Sequence, residues 1–195
     1  MNALRGIATI LLPFAAFFAP PALAAIDPLT SLVSKAVSTT LDMRTKAEVA
    51  TDAEIAAGAS KALLDDKKAE WEGVSLLVFA QHAVIAGFVK DEATKKRVQE
   101  VVVRDKRIHS LKNELRVAAD TSFVGATVVE EKINATLTVT KGISSVNMRW
   151  KSVAGHVVLM GVAQSAAESA LAQSKIRALD GVKSLKSHLR IVAKK

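Results

Sequence analysis

The chain has 195 residues, no cysteine and a formal net charge of +8, and half of its residues are hydrophobic. The absence of cysteine excludes disulfides, thiolate metal sites, cysteine nucleophiles and the lipid-modified cysteine of a lipoprotein. Aromatic residues make up only 4% of the chain and none is tyrosine, so we expect a core of valine, leucine, isoleucine and alanine.

The start of the chain has the pattern of a secretory signal peptide. A short basic start precedes an apolar run over residues 6–19, and two prolines separate this run from the small-residue site Ala22-Leu23-Ala24. The run is shorter than the roughly 20 residues that a membrane-spanning helix needs. We therefore predict a signal peptide at residues 1–24, cleavage after Ala24 or Ala25, and a Sec-exported periplasmic protein that is not a lipoprotein.

Positive charge is concentrated in the second half of the mature chain. Residues 52–117 carry 12 basic and 11 acidic side chains, a balance of +1, whereas residues 118–195 carry 11 basic and 5 acidic, a balance of +6. A field of this kind favours an anionic partner. The preceding residues 25–50 are mildly amphipathic and form either a docking helix or a flexible leader.

The mature chain repeats itself at one constant offset. Without gaps, residues 80–117 align with residues 154–191 at 11 identities in 38 positions, among them His82/His156, Gly87/Gly161 and Arg116/Arg190. One register holds across helix-like and strand-like segments alike. This regularity predicts two copies of one module.

The first copy begins with a predicted helix, in which Ile55, Ala59 and Leu63 recur at helical spacing. Asp52 is the expected N-cap of that helix. Two alternating segments follow and predict a β-hairpin. The glycine inside its returning strand, Gly87, is typical of a bulge or a close approach of two backbones.

A second helix and a last strand complete each copy, so that the element order is α-β-β-α-β. A strand–helix–strand connection of this kind places the last strand beside the returning one. We predict an α+β fold of two modules, at residues 51–118 and 122–193. Each is expected to be a three-stranded mixed sheet covered on one face by two helices.

The two copies resemble BON domains, which occur singly or in tandem in bacterial periplasmic and outer-membrane-associated proteins. The second copy carries Val157-Val158-Leu159-Met160-Gly161 followed by Gly181-Val182, and the first carries Ile55…Leu63 and Ile108…Leu115. The resemblance implies a tandem BON protein without enzymatic activity or cofactor. It also implies binding to anionic phospholipid or to the inner leaflet of the outer membrane, in support of envelope integrity under osmotic or other stress.

In dual-domain relatives, lipid contact is attributed to the first helix of the second module. Carried over to this chain, the resemblance places that helix at about residues 126–140. The residues that it implies for lipid binding are Phe123, Val124, Val128, Lys132 and Lys141.

Other functional classes lack their motifs in this sequence. No Gly-x-Ser-x-Gly, His-Glu-x-x-His or phosphate-cradling glycine loop is present, so we predict no catalytic residue. His82 and His156 have no second ligand nearby in sequence, so we predict no metal site.

The last strand of each copy is basic, and this charge has two interpretations. It either keeps an exposed sheet edge soluble or meets anionic lipid or an envelope polymer; the absence of stacking aromatics disfavours nucleic acid. The alternative function is a soluble adaptor or chaperone-like factor that binds envelope proteins. The basic residues are Lys106, Arg107, Lys112, Arg116, Lys183, Lys186, Arg190, Lys194 and Lys195.

Overall fold

The computed structural model describes residues 42–67, 73–118 and 126–193, which form an α+β fold of two modules. The predicted signal peptide lies outside the described residues. Module 1 comprises α1 (Lys46–Asp65), β1 (Val74–Phe79), β2 (His82–Val89), α2 (Glu92–Val102) and β3 (Ser110–Val117). Module 2 comprises α3 (Ala126–Val139), β4 (Met148–Val153), β5 (His156–Ala163), α4 (Ala166–Arg177) and β6 (Ser184–Ile191).

Both sheets have the predicted mixed topology. In each module the middle strand pairs antiparallel with the first strand and parallel with the last. The paired residues lie at the same positions of the two copies, since His82 faces Ser110 and His156 faces Ser184. The predicted fold class is therefore confirmed.

The start of α1 differs from the prediction. Its N-cap is Thr45, whose side chain accepts from the Glu48 amide while the Glu48 carboxylate accepts from the Thr45 amide at 2.7 Å. This reciprocal pair is a capping box, and the prediction of Asp52 as N-cap is wrong. Asp52 lies further along α1 and instead accepts from the backbone amides of Ala80 and Gln81, each at 2.7 Å. It thereby ties the β1–β2 turn to the helix.

Each sheet packs one face against its own two helices. The residues beneath the helices are almost entirely aliphatic, as the composition predicts, and several are fully enclosed. In module 1 they include Ile55, Ile85 and Val98, and in module 2 Ile133, Leu137, Leu159, Ala172 and Ile176, all with 0% exposure.

The opposite faces of the two sheets pack against each other. This inter-sheet layer consists of Leu77, Phe79, Val84 and Ala86 from module 1 with Val158, Met160 and Val162 from module 2. In β2 and β5 the last seven residues are buried without alternation, because strands covered on both faces need apolar side chains at every position. The molecule therefore has four layers, with helices outside and two sheets inside.

The modules are related by an approximate two-fold axis. His188 in β6 contacts Glu114 in β3, with 2.7 Å between Nε2 and Oε1. The two residues are separated by the offset of the repeat, so they occupy the same position of its two copies. A position that meets its own equivalent lies close to a two-fold axis.

Charges at the two ends of the interface are arranged reciprocally about this axis. Burial and the positive charge of Arg190 lower the pKa of His82. Burial and the positive charge of Arg116 lower the pKa of His156 in the same way. Each module thus presents the arginine of its last strand to the histidine with which the other module's middle strand begins.

The shared geometry of the returning strands gives a first prediction. Gly161 has a φ of +121°, and a Cβ there would lie 2.1 Å from the carbonyl oxygen of Asn147. We predict that Gly161→Ala lowers the free energy of unfolding by about 2–4 kcal/mol, since it adds both a backbone overlap and a disfavoured φ. Urea unfolding followed by circular dichroism measures the change.

A matched control is Gly58→Ala on the exposed side of α1. A Cβ at Gly58 would meet nothing closer than 3.7 Å, and alanine is the better helix former by roughly 0.5–1 kcal/mol. We therefore expect Gly58→Ala to raise the free energy of unfolding. Equal effects of the two substitutions would contradict the strand geometry.

Candidate membrane-contact site

Helix α3 exposes an apolar stripe on its solvent side. Val128 is 54% exposed and Val139 81% exposed, and Lys132 and Ala135 lie exposed between them. Spacings of three and four residues place all four on one face of a helix. The opposite face packs into the core through Val129, Ile133 and Leu137.

The same stripe on α1 is polar. At the equivalent positions of the first copy the four residues are Glu54, Gly58, Lys61 and Asp65. The side chains of Glu54, Lys61 and Asp65 are 68%, 75% and 64% exposed, and the last two form an ion pair. The two modules therefore share a fold but present different surfaces to solvent.

The lysine on the stripe, Lys132, and the lysine just beyond the end of α3, Lys141, are weakly held. Lys132 Nζ lies 3.4 Å from a carboxylate oxygen of Asp180, whose side chain is 99% exposed. A surface ion pair of this kind stabilises by at most about 1 kcal/mol. Lys141 follows α3, is exposed, and makes no hydrogen bond or ion pair with another described residue. Both ammonium groups are available to an external anion.

Glu130 ties the second turn of α3 to the sheet. Its carboxylate accepts from the Ser152 amide at 2.9 Å and pairs with Lys151 Nζ at 3.1 Å, and its carbonyl accepts from the Trp150 indole. Module 1 achieves a similar attachment with Asp52. The stripe that contains Val128 thus lies on a helix that is tied to β4 by these contacts.

The structure places three of the five predicted lipid-binding residues at this site. Val128 and Lys132 lie on the stripe, and Lys141 lies just beyond the end of α3. Phe123 and Val124 lie outside the described residues.

Val139 was missed by the sequence reasoning, although it is the most exposed large apolar side chain that the structure describes. It lies three helical turns after Val128, about 16 Å along the helix. A signal was present in the sequence, because the repeat aligns Val139 with Asp65.

Neither a membrane-spanning helix nor a metal site is found within residues 42–67, 73–118 and 126–193. No helix in these ranges combines the length and hydropathy of a membrane span, and no group of three or more metal-ligating side chains is clustered there. The two turn histidines, His82 and His156, instead contact the hydroxyls of Ser110 and Ser184 through Nδ1, at 2.6 and 2.7 Å. Each contact ties the middle strand to the last strand.

The second module matches a known domain family. Residues 126–193 match the sequence profile of the BON domain, so the chain contains a BON domain at its second module. The chain is also similar to osmotically-inducible protein Y of Escherichia coli (strain K12), with 26% identity over 144 residues, 71% of this chain and 72% of that protein.

Two solved structures overlap with the chain more loosely. Both are of CdsD, described as a structural protein of the type III secretion system of Chlamydia trachomatis, and the first is of its C-terminal domain. Their TM-scores are 0.31 and 0.32 at 16% sequence identity, and they cover 68% and 73% of this chain. The chain spans 64% and 65% of those chains, so it falls short of two thirds of their length.

The turn histidines predict how stability depends on pH. Burial and nearby arginines hold the pKa of His82 and of His156 below the ordinary value of 6.5. The unfolded chain therefore binds these protons at a higher pH than the folded chain, and stability is lost as pH falls through 6.5 toward the lowered values. We expect the variant with both His82→Gln and His156→Gln to lose less stability between about pH 7 and pH 5. Urea midpoints at the two pH values test this, and an unchanged loss would contradict it.

Proposed function

We propose that this chain is a non-enzymatic periplasmic envelope protein that binds anionic phospholipid and supports envelope integrity under osmotic stress. Its contact with the inner leaflet of the outer membrane is made by α3. The observation that carries the proposal is the exposed Val128–Val139 stripe with its lysines, at positions where α1 has charged side chains.

The stripe has the chemistry of an interfacial helix. Such helices insert apolar side chains at the boundary between headgroups and acyl chains while basic side chains meet lipid phosphates. Val128 and Val139 supply the apolar part, and Lys132 and Lys141 each contribute roughly 1 kcal/mol of attraction near an anionic surface. Two valines and two lysines support weak, reversible attachment.

The similarities to the BON domain and to the Escherichia coli protein also support this proposal. The BON domain match covers the module that carries the stripe. The name of the Escherichia coli relative, osmotically-inducible protein Y, supports a role in osmotic stress. The shared topology and the constant offset of the repeat support a second, more divergent BON copy in module 1, with copies at residues 51–118 and 122–193.

Vesicle flotation tests the apolar part of the contact. Val128→Glu together with Val139→Asp gives α3 the residues that α1 carries at those positions, and we predict at least a tenfold loss of affinity for vesicles with anionic lipid, since about 1.5 kcal/mol or more is lost per valine kept out of the membrane. The matched control is Leu64→Glu, at a leucine of α1 that is 58% exposed. Equal losses in the control would contradict an α3 contact.

The same flotation assay tests the attraction between the lysines and anionic lipid. We predict that the wild-type chain floats with vesicles containing phosphatidylglycerol and not with vesicles of phosphatidylcholine alone. Lys132→Glu together with Lys141→Glu should abolish this preference, because it replaces attraction to the anionic surface with repulsion. Flotation independent of lipid charge, or unaffected by the two substitutions, would rule out the lipid proposal.

The alternative is a soluble adaptor or chaperone-like factor acting on envelope proteins. It is favoured by Val117 and Ile191, which are 42% and 53% exposed at equivalent positions of the edge strands β3 and β6. Exposed edge strands are templates for added strands. Reproducible cross-links from these strands to envelope proteins in a periplasmic fraction, without vesicle binding, would favour the adaptor.

A further inference from the structure

A cavity of about 70 Å³ opens between the two modules, beside the β4–β5 turn. Three cationic side chains, one carboxylate, one histidine and one serine are the polar groups of its lining. They come from four strands of both modules, and they are Glu114, Arg116, Lys151, His156, Ser184 and Lys186.

Two of the three cations of this cavity have no ion-pair partner among the described residues. Glu114 is engaged by His188, and Lys151 by Glu130. The side chains of Arg116 and Lys186 make no hydrogen bond or ion pair with any other described residue. Both come from the basic last strands. The sequence allows this charge either to keep a sheet edge soluble or to meet an anionic lipid or envelope polymer.

The two-fold axis provides an internal comparison, because it relates this open end to a closed end. At the equivalent positions of the other copy, Arg116 becomes Arg190, His156 becomes His82 and Val153 becomes Phe79. At the closed end the segment 42–44 covers the interface. The guanidinium of Arg44 lies 4.3 Å from the centre of the Phe79 ring.

Two carboxylates, Asp42 and Asp52, lie among the three arginines of the closed end. Arg44 binds Asp42 at 2.7 Å and Asp52 at 2.9 Å, and all three side chains are almost fully buried. Burial lowers the pKa of Arg149 to about 10, and the charges of Asp42 and Asp52 oppose that fall. Asp52 likewise favours the charged form of Arg190.

Within residues 42–67, 73–118 and 126–193, no carboxylate lies at the open end at the position that corresponds to Asp52. The repeat aligns Asp52 with an alanine, Ala126. Among the described residues, the pair Asp42 and Asp52 therefore has no counterpart at the open end, where the carboxylate of the cavity, Glu114, contacts His188. The cavity has room for a small anion, because roughly 10–15 Å³ on the same measure is enough for one water molecule.

We propose that the open end binds a phosphate group, held by Arg116 of module 1 and Lys186 of module 2. A phosphate accepts hydrogen bonds from several directions at once, which suits donors on opposed strands, and arginine is the cation best matched to it. The ligand is either inorganic phosphate or the phosphate of a lipid headgroup. This site is separate from the α3 stripe, so either proposal stands if the other fails.

His156 reports on the occupant. Burial and the positive charges of Arg116 and Lys183 lower its pKa. A bound anion offsets those charges and favours the protonated imidazole. We expect inorganic phosphate to raise the pKa of His156 by about half a unit or more relative to chloride at the same ionic strength. His82, at the closed end, is the control and should not shift.

The experiment is an NMR titration of both imidazoles with inorganic phosphate and, separately, with glycerol 3-phosphate as the probe of a lipid headgroup. Arg116→Gln should weaken phosphate binding about tenfold, because it removes a charge-assisted hydrogen bond. Lys186→Gln is the second variant of the site. Lys112→Gln, at the equivalent position of the closed end, is the matched control and should bind normally.

Each outcome decides the proposal. A shift of His156 with both probes supports a site for phosphate groups in general, and a shift with one probe assigns the source to the free anion or to the headgroup. The proposal is overturned by a shift no larger than in chloride, by equal shifts of His82 and His156, or by unchanged binding in both Arg116→Gln and Lys186→Gln.

Discussion

The apolar layer between the two sheets is the contact on which the rest of the structure depends. In the part of the chain that the structure describes, each module has three strands, and its two helices cover one face of them. The second face carries side chains such as Phe79 and Met160, which are 1% and 3% exposed. Removing such surface from water is the main favourable term in folding. Because neither module covers this face by itself, the two modules fold against each other.

This layer also determines what each outer surface is free to do. Sheet-on-sheet packing places the helices of module 1 and module 2 on opposite sides of the molecule, so the stripe on α3 and the charged stripe on α1 face away from each other. The repeat has diverged where it meets solvent and has kept its core. Val139 and Asp65 illustrate this, since the positions are equivalent and only the side chains differ.

The two-fold axis creates two ends of the interface, and they have diverged as well. One end is covered by residues 42–44, where Arg44 joins Asp42, Asp52 and the Phe79 ring. Met43 adds a hydrogen bond from its amide to Asn147 of module 2, at 2.8 Å. This segment therefore contacts both modules. The other end keeps a cationic cavity, so the same packing yields a closed end and an open one.

Much of the fold was accessible from the sequence, because the features that determine it are local or repeated. Helical spacing, alternation and the constant offset of the repeat predicted the element order and the mixed sheets. The glycine of the returning strand was predicted to mark a bulge or a close backbone approach. The close approach is confirmed, because a Cβ at Gly87 would overlap the carbonyl oxygen of Gly73. The role of Asp52 was not accessible, because a carboxylate near a helix start is a good N-cap in sequence terms and its partners lie 28 and 29 residues away.

The inter-sheet layer was also missed, for a physical reason. The continuous apolar run of β2 indicates a strand that is covered on both faces. The run does not identify the element that provides the second cover. The sequence predicted the candidate site in part. The first helix of the second module was named through a resemblance, whereas Val139 needed the exposed face of α3 to be seen.

The most direct test of the sheet-on-sheet arrangement is a methyl NOESY spectrum of the full chain in solution. We expect cross-peaks that connect Leu77 and Val84 of module 1 with Val158, Met160 and Val162 of module 2, since all five belong to one buried layer. A spectrum with NOEs inside each module and none between these two groups would contradict the arrangement.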